Sequence, residues 1–217
     1  MYLIDNYDVF VFDFDGTILD TESYHYLAWK TSIQSEYPTF DISENDYFRL
    51  IHNLDTTTFC HFLQKEHNIN NYQELYIKKG LYYKKLLKEN EIESIGNVEV
   101  FLDRLVHKKK KLIICTNSSI TSIQYLVNKY PFLKKFNKIY TKEDFTKRKP
   151  DPECYQKISN EYKGLRLIGF EDSLVGTHAL CQVPEITSLH IRPPDYYHNS
   201  EIEKYNINVI DTYDVFA

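Results

Sequence analysis

The stretch Val9-Phe10-Val11-Phe12-Asp13-Phe14-Asp15-Gly16-Thr17 limits what this chain can fold into more than any other. An unbroken apolar run followed by two carboxylates and a glycine reads as a strand buried on both faces that runs out into a tight turn. In open α/β sheets the carboxyl ends of such strands line the crevice where ligands bind. Asp13 and Asp15 are two positions apart, so in extended chain they point the same way, and two like charges held that close call for a cation beside them. The Asp-x-Asp-Gly spelling also fits an ordinary Asx-type turn. It could open a calcium loop as well, but the preceding strand and the missing downstream glutamate argue against that. The rest of the chain decides.

With 217 residues the chain can bury a real core, as one large domain or as a core with a small insert. A net charge of -5 provides no basic footprint for nucleic acid or an anionic membrane, so neither is expected as a partner and small-molecule chemistry becomes the default. Cys60, Cys115, Cys154 and Cys181 lie far apart with no C-x-x-C pair, which suits reduced thiols rather than a disulfide framework or a zinc site. Met1-Tyr2-Leu3-Ile4-Asp5 has no basic segment leading into an apolar one, and no apolar run reaches membrane-spanning length. A soluble, cytoplasmic protein is expected.

After Thr17 the pattern changes. Positions 20–36 start with residues that favour a helix N-terminus and then place Tyr24, Leu27, Ala28 and Ile33 at helical spacings. Further helices are expected over 43–51, 56–67 and 72–89, with no strand among them. From residue 97 onward helices alternate with short apolar strands at 112–115, 138–141, 165–170, 187–191 and 207–210. That rhythm predicts an α/β fold, a doubly wound parallel sheet interrupted by an all-α insert. The basic run Lys108 to Lys111 reads as a solvated helix end that complements the helix dipole.

Three polar clusters each follow one of these strands: Thr116-Asn117-Ser118, Lys149-Pro150-Asp151-Pro152 and Glu171-Asp172-Ser173. Singly each has an ordinary explanation as a helix cap, a surface charge or a turn. In a parallel sheet they fall along the edge that carries Asp13 and Asp15, which four unrelated caps and turns would do only by coincidence.

The ordered set Asp13-Phe14-Asp15-Gly16-Thr17, Thr116-Asn117-Ser118, Lys149-Pro150 and Glu171-Asp172 resembles the haloacid dehalogenase superfamily of phosphotransferases, over nearly the whole chain. The resemblance implies a Rossmann-like core over 1–17 and 95–217 and a movable helical cap domain over 18–94, of the phosphatase and β-phosphoglucomutase type. Asp20-Thr21, His25 and Ala28-Trp29-Lys30 are especially similar to the β-phosphoglucomutase branch. Asp13 is then expected as the nucleophile that forms an aspartyl phosphate, and Asp15 as the acid and base that serves the leaving and incoming oxygens. Mg²⁺ is expected on Asp13, the Asp15 backbone carbonyl and Asp172, with Glu171 in or beside its ligand shell. The Thr116 hydroxyl, the amides of Asn117 and Phe14, and the Lys149 ammonium would bind the transferring phosphoryl group. In the cap, the same resemblance marks His25, His52 and Lys79 as candidate contacts to a small phosphorylated metabolite. Trp29 is expected to serve packing.

One departure bears on the outcome of the reaction. Where the mutase branch carries a Gly-x-Ser-Arg loop, this chain reads His52-Asn53-Leu54-Asp55-Thr56-Thr57, with no arginine to clamp a second phosphate. Lys79 stands near the place of another cation of that branch, but Lys78-Lys79 also reads as a solvated helix face. Thr17 matches the phosphatase form of the first motif. Hydrolysis of a small phosphomonoester, such as a sugar phosphate, is therefore expected over a β-phosphoglucomutase-like isomerisation. Oligomeric state is not encoded in any of these features.

Overall fold

A computed structural model describes residues 2–50, 56–192 and 200–216 of the chain. In chain order the elements are α1 (Tyr2–Asn6), β1 (Val9–Phe12), α2 (Glu22–Gln34), α3 (Glu44–Leu50), α4 (Thr56–His67), α5 (Tyr72–Glu89), α6 (Val98–His107), β2 (Lys111–Cys115) and α7 (Ile120–Lys129). They continue with β3 (Lys138–Tyr140), α8 (Glu153–Glu161), β4 (Leu167–Glu171), α9 (Leu174–Cys181), β5 (Ile186–Ile191) and β6 (Asn208–Ile210). The chain divides into two compact units, one of Met1–Asp20 with Glu93–Ala217 and the other of Thr21–Ile92.

The first unit is an α/β fold on a six-stranded sheet in the order β3-β2-β1-β4-β5-β6, every neighbouring pair parallel. All four residues of β1 are completely buried, for the reason its unbroken apolar run suggested: both faces are covered. Val9 and Val11 face a cluster with Ile113, Cys115, Tyr155, Ile158 and Leu180. Phe10 and Phe12 face the other way, where Phe12 stacks on Phe170 at 4.7 Å and meets Phe101 and Tyr213 edge-on or tilted at about 6 Å. Helix α6 covers this second face with Val98, Phe101, Leu102 and Leu105, an i, i+3, i+4, i+7 stripe.

Where the chain leaves β1, Gly16 adopts φ 72°, in the left-handed region that only glycine enters freely, and its N–H donates forward to the Leu19 carbonyl at 2.8 Å. Leu19 then pairs antiparallel with Ser94, and Ile95 N–H donates to the Ile18 carbonyl at 2.9 Å, so the outgoing and returning segments are stitched together. The basic run is not one helix end. Lys108 closes α6 and pairs with Asp5 at 2.6 Å, whereas Lys111 opens β2.

Among the described residues the second unit is helical, built on α2 to α5. Trp29 of α2 packs edge-on against Phe59 of α4 at 4.7 Å, in keeping with its expected packing role. Ser32 of α2 donates to the Leu75 carbonyl of α5 at 2.6 Å. One residue departs from the periodicity reading. Leu27 is 41% exposed, and Tyr26 is buried in its place because its hydroxyl has an acceptor, the Ile42 carbonyl at 3.0 Å.

Candidate active site

The register of the sheet builds the site. Phe12 pairs with Ile114 on one side and Phe170 on the other, so the next rung places Asp13 beside Cys115 and Glu171, and Asp13 N–H still donates to the Phe170 carbonyl at 2.9 Å. Strand order changes direction at β1, the switch point where open α/β sheets form their crevice.

Lys149 joins all three members of that rung. Its ammonium donates to Asp13 Oδ1 at 2.6 Å, to the Cys115 carbonyl at 2.7 Å and to Glu171 Oε1 at 2.6 Å. The lysine is held from behind by Asn117, whose amide accepts from Lys149 N–H and donates to the Lys149 carbonyl, each at 3.2 Å. Burial works against a charge on Lys149, but Asp13 and Glu171 outweigh it and hold the ammonium well above the usual lysine range. Burial pushes the Asp13 carboxyl well up, Lys149 pulls it down, and Glu171, Asp172 and Asp15 push it up again. Glu171 is raised by burial too, against the pull of Lys149 and Tyr155. One ammonium does not neutralise this set of carboxylates.

A cation would. Asp13, Glu171 and Asp172 each present a carboxylate oxygen, all within 4.8 Å of one another. Three carboxylates against one ammonium leave a deficit that a divalent ion matches. An all-oxygen donor set suits a hard ion such as Mg²⁺. Asp172 is oriented by Thr17, whose hydroxyl donates to Oδ1 at 2.8 Å, and the Thr17 carbonyl in turn accepts from the buried Tyr213 hydroxyl at 3.0 Å.

The polar cluster after β2 meets the first motif directly. Ser118 donates a hydrogen bond to Asp15 Oδ2, and its N–H donates to Thr116 Oγ1 at 3.0 Å, leaving the Thr116 hydroxyl hydrogen available to another acceptor. Ser119 and Ser173 cap α7 and α9 by accepting from the Ser122 and Gly176 amides.

The profile of the haloacid dehalogenase-like hydrolases matches residues 10–174, well over half of the chain. The chain belongs to this family. Among curated relatives of this haloacid dehalogenase-like hydrolase, the β-phosphoglucomutase of Bacillus subtilis is 26% identical over 152 residues, a stretch that covers 67% of the chain and 65% of that protein, short of two thirds of its length. Among solved structures, a predicted phosphoglycolate phosphatase from Haemophilus somnus superposes with a TM-score of 0.80 at 17% identity, over 97% of each chain. The CbbY protein of Rhodobacter sphaeroides in complex with xylulose-(1,5)bisphosphate superposes with a TM-score of 0.76 at 17% identity, over 95% of each chain. These likenesses show the Rossmann-like fold of the family.

The structure thus brings together Asp13, Asp15, Thr116, Asn117, Lys149, Glu171 and Asp172 at one sheet edge, with Phe14 following Asp13 there. In the helical unit, Lys79 Nζ lies 2.6 Å from His25 Nδ1, and His25 stacks on Tyr83 at 4.0 Å. Neither lysine of the pair is simply solvated: Lys78 is bound to Glu36, and Lys79 also lies over the Tyr83 ring at 5.0 Å. His52 lies outside the described residues. Sequence reasoning missed the tie between Ser118 and Asp15, which reads as a helix cap, and Tyr155, which reads as a core aromatic on α8. Their only sequence signal is closeness to Thr116 and Lys149.

Proposed function

We propose that this hydrolase is a Mg²⁺-dependent phosphatase that cleaves a small phosphomonoester through an aspartyl phosphate on Asp13. The observation that carries the reading is the buried contact of Lys149 with Asp13, set among Glu171 and Asp172 and next to Asp15. Lys149 spans from the attacking carboxylate to the position where phosphoryl oxygens gather negative charge, where a fixed positive group lowers the barrier most.

In the first step an Asp13 carboxylate oxygen bonds to phosphorus as the bond to the ester oxygen breaks, and Asp15 gives its proton to that leaving oxygen. In the second, a water held by the now ionised Asp15 loses its proton to it and displaces Asp13, which releases inorganic phosphate. Ser118 holds the Asp15 carboxyl in place for both transfers. The Thr116 hydroxyl and the amides of Phe14 and Asn117 donate to the phosphoryl oxygens. Bound at Asp13, the Asp15 carbonyl and Asp172, with Glu171 beside them, Mg²⁺ would offset the repulsion between the attacking carboxylate and the phosphate. We further propose that residues 21–92 act as the cap domain and select the substrate, His25 and Lys79 among their contacts to it.

A screen of phosphate esters with Mg²⁺ tests the reading: free phosphate should appear with the wild type and be lost in Asp13→Asn. No release from any ester would sink it. The 26% identity with a β-phosphoglucomutase supports a second reading, isomerisation of a sugar phosphate. Supplying β-glucose 1-phosphate with a trace of the bisphosphate separates the two, since the mutase yields glucose 6-phosphate and the phosphatase yields free phosphate.

A further inference from the structure

Glu171 belongs by distance to the acidic cluster, yet its Oε1 is already committed twice. It accepts from Lys149 at 2.6 Å and from the Tyr155 hydroxyl. Tyr155 is completely buried on α8, and its ring lies 5.0 Å from the Lys149 ammonium. The other oxygen, Oε2, is pressed against the backbone of Gly176, where a Cβ would stand only 1.9 Å away. The carboxylate is therefore gripped on both sides: Tyr155 fixes one oxygen toward the lysine, and Gly176 leaves just enough room for the other.

We infer that Tyr155 is a positioning residue that keeps Glu171 turned onto Lys149 and away from the cation, and so keeps the lysine aimed at Asp13. A glutamate this close to a divalent ion has two competing uses, as an ion ligand or as the anchor of the lysine. A hydrogen bond to a charged group is strong enough to decide between them. The inference rests on the phosphatase reading for its kinetic consequences, but its effect on cation binding does not.

Tyr155→Phe tests it, because it keeps the ring and its packing and removes only the donor. With Glu171 released, kcat should fall about tenfold while KM for the ester stays within about twofold, since the lysine's aim matters most in the transition state. Mg²⁺ affinity, measured by calorimetry on protein without substrate, should rise about threefold or more as Glu171 becomes a ligand. In a Glu171→Gln background Tyr155→Phe should change neither quantity, the signature of action through that carboxylate. The inference is overturned if Mg²⁺ affinity is unaltered, if kcat stays at the wild-type value, or if the loss is the same in both backgrounds. A wild type that hydrolyses no ester would refute the phosphatase reading instead, and the calorimetric comparison would still decide the role of Tyr155.

Discussion

Lys149 and Asp13 are separated by 136 positions in the chain and by 2.6 Å in space. Both are nearly sealed from solvent, the lysine 4% exposed and the aspartate 9%. Removing one member of such a pair does more than delete a contact, because it leaves the other charge buried without its partner. In Lys149→Met, which keeps length and bulk, turnover should fall at least about a thousandfold while the circular dichroism spectrum stays that of the wild type. A Lys149→Met protein with wild-type phosphate release would remove the lysine from the mechanism.

The acidic trio predicts a stabilising ion. Asp13, Glu171 and Asp172 repel one another in the folded state, and an ion that binds only there raises stability by about 2.7 kcal/mol at a hundred times its dissociation constant. Millimolar Mg²⁺ added to EDTA-treated protein should raise the melting temperature by several degrees, and Asp172→Asn should erase most of that rise. Equal melting curves with and without Mg²⁺ would contradict the site.

Asp15 and Ser118 should reveal themselves through the leaving group. An alkoxide leaves poorly unless protonated, whereas p-nitrophenolate leaves unaided. Ser118→Ala frees the Asp15 carboxyl, so kcat should drop roughly tenfold on a sugar phosphate and much less on p-nitrophenyl phosphate. Equal losses on both esters would assign Ser118 some other task.

Gly176 is required by space. The Cβ of an alanine there would overlap Glu171 Oε2, whose carboxylate is bound to Lys149 and Tyr155 at its other end. Gly176→Ala should cost about 1–3 kcal/mol, typical of overpacking, and lower kcat because the displaced glutamate carries the lysine with it. Chemical denaturation and steady-state kinetics on the one variant check both effects.

On the surface, Asp8 is held down to about 2 by hydrogen bonds from Arg166, its side chain first and its backbone N–H second. A carboxyl with a depressed folded value stabilises the protein above its ordinary range and loses that contribution as the pH falls through the folded value. The stability gap between wild type and Asp8→Ala should therefore be constant above about pH 5 and shrink steadily on acidification toward pH 2. A gap that widens with acid would have the wrong sign for this pair. Because the pair is exposed, salt should narrow the gap as well.

The parts of this molecule that were legible in the sequence share a cause. β1 and β4 are covered on both faces, so they spell nearly unbroken apolar runs, and Asp13 and Glu171-Asp172 announce themselves because they come where those runs end. What was not legible depends on pairs distant in sequence. That Asp13, Cys115 and Glu171 share a rung follows only once strand order and register are known. Tyr155 and Tyr213 look like core aromatics because their rings are core; only the acceptors at their hydroxyls, Glu171 and the Thr17 carbonyl, show the second role. Leu27 failed the helical-spacing argument because a tyrosine with a partnered hydroxyl fills an interior place as well as a leucine does.

The central place of β1 also shapes how the chain must come into being. Residues 9–12 leave the ribosome long before either neighbour, the first of which begins at Lys111. At about 5–20 residues per second the interval is roughly 5–20 s. Throughout it Val-Phe-Val-Phe has no sheet to join, a sticky ribbon in a crowded cell. Over that interval the segment is unpaired apolar chain of the kind that makes incomplete chains prone to aggregation.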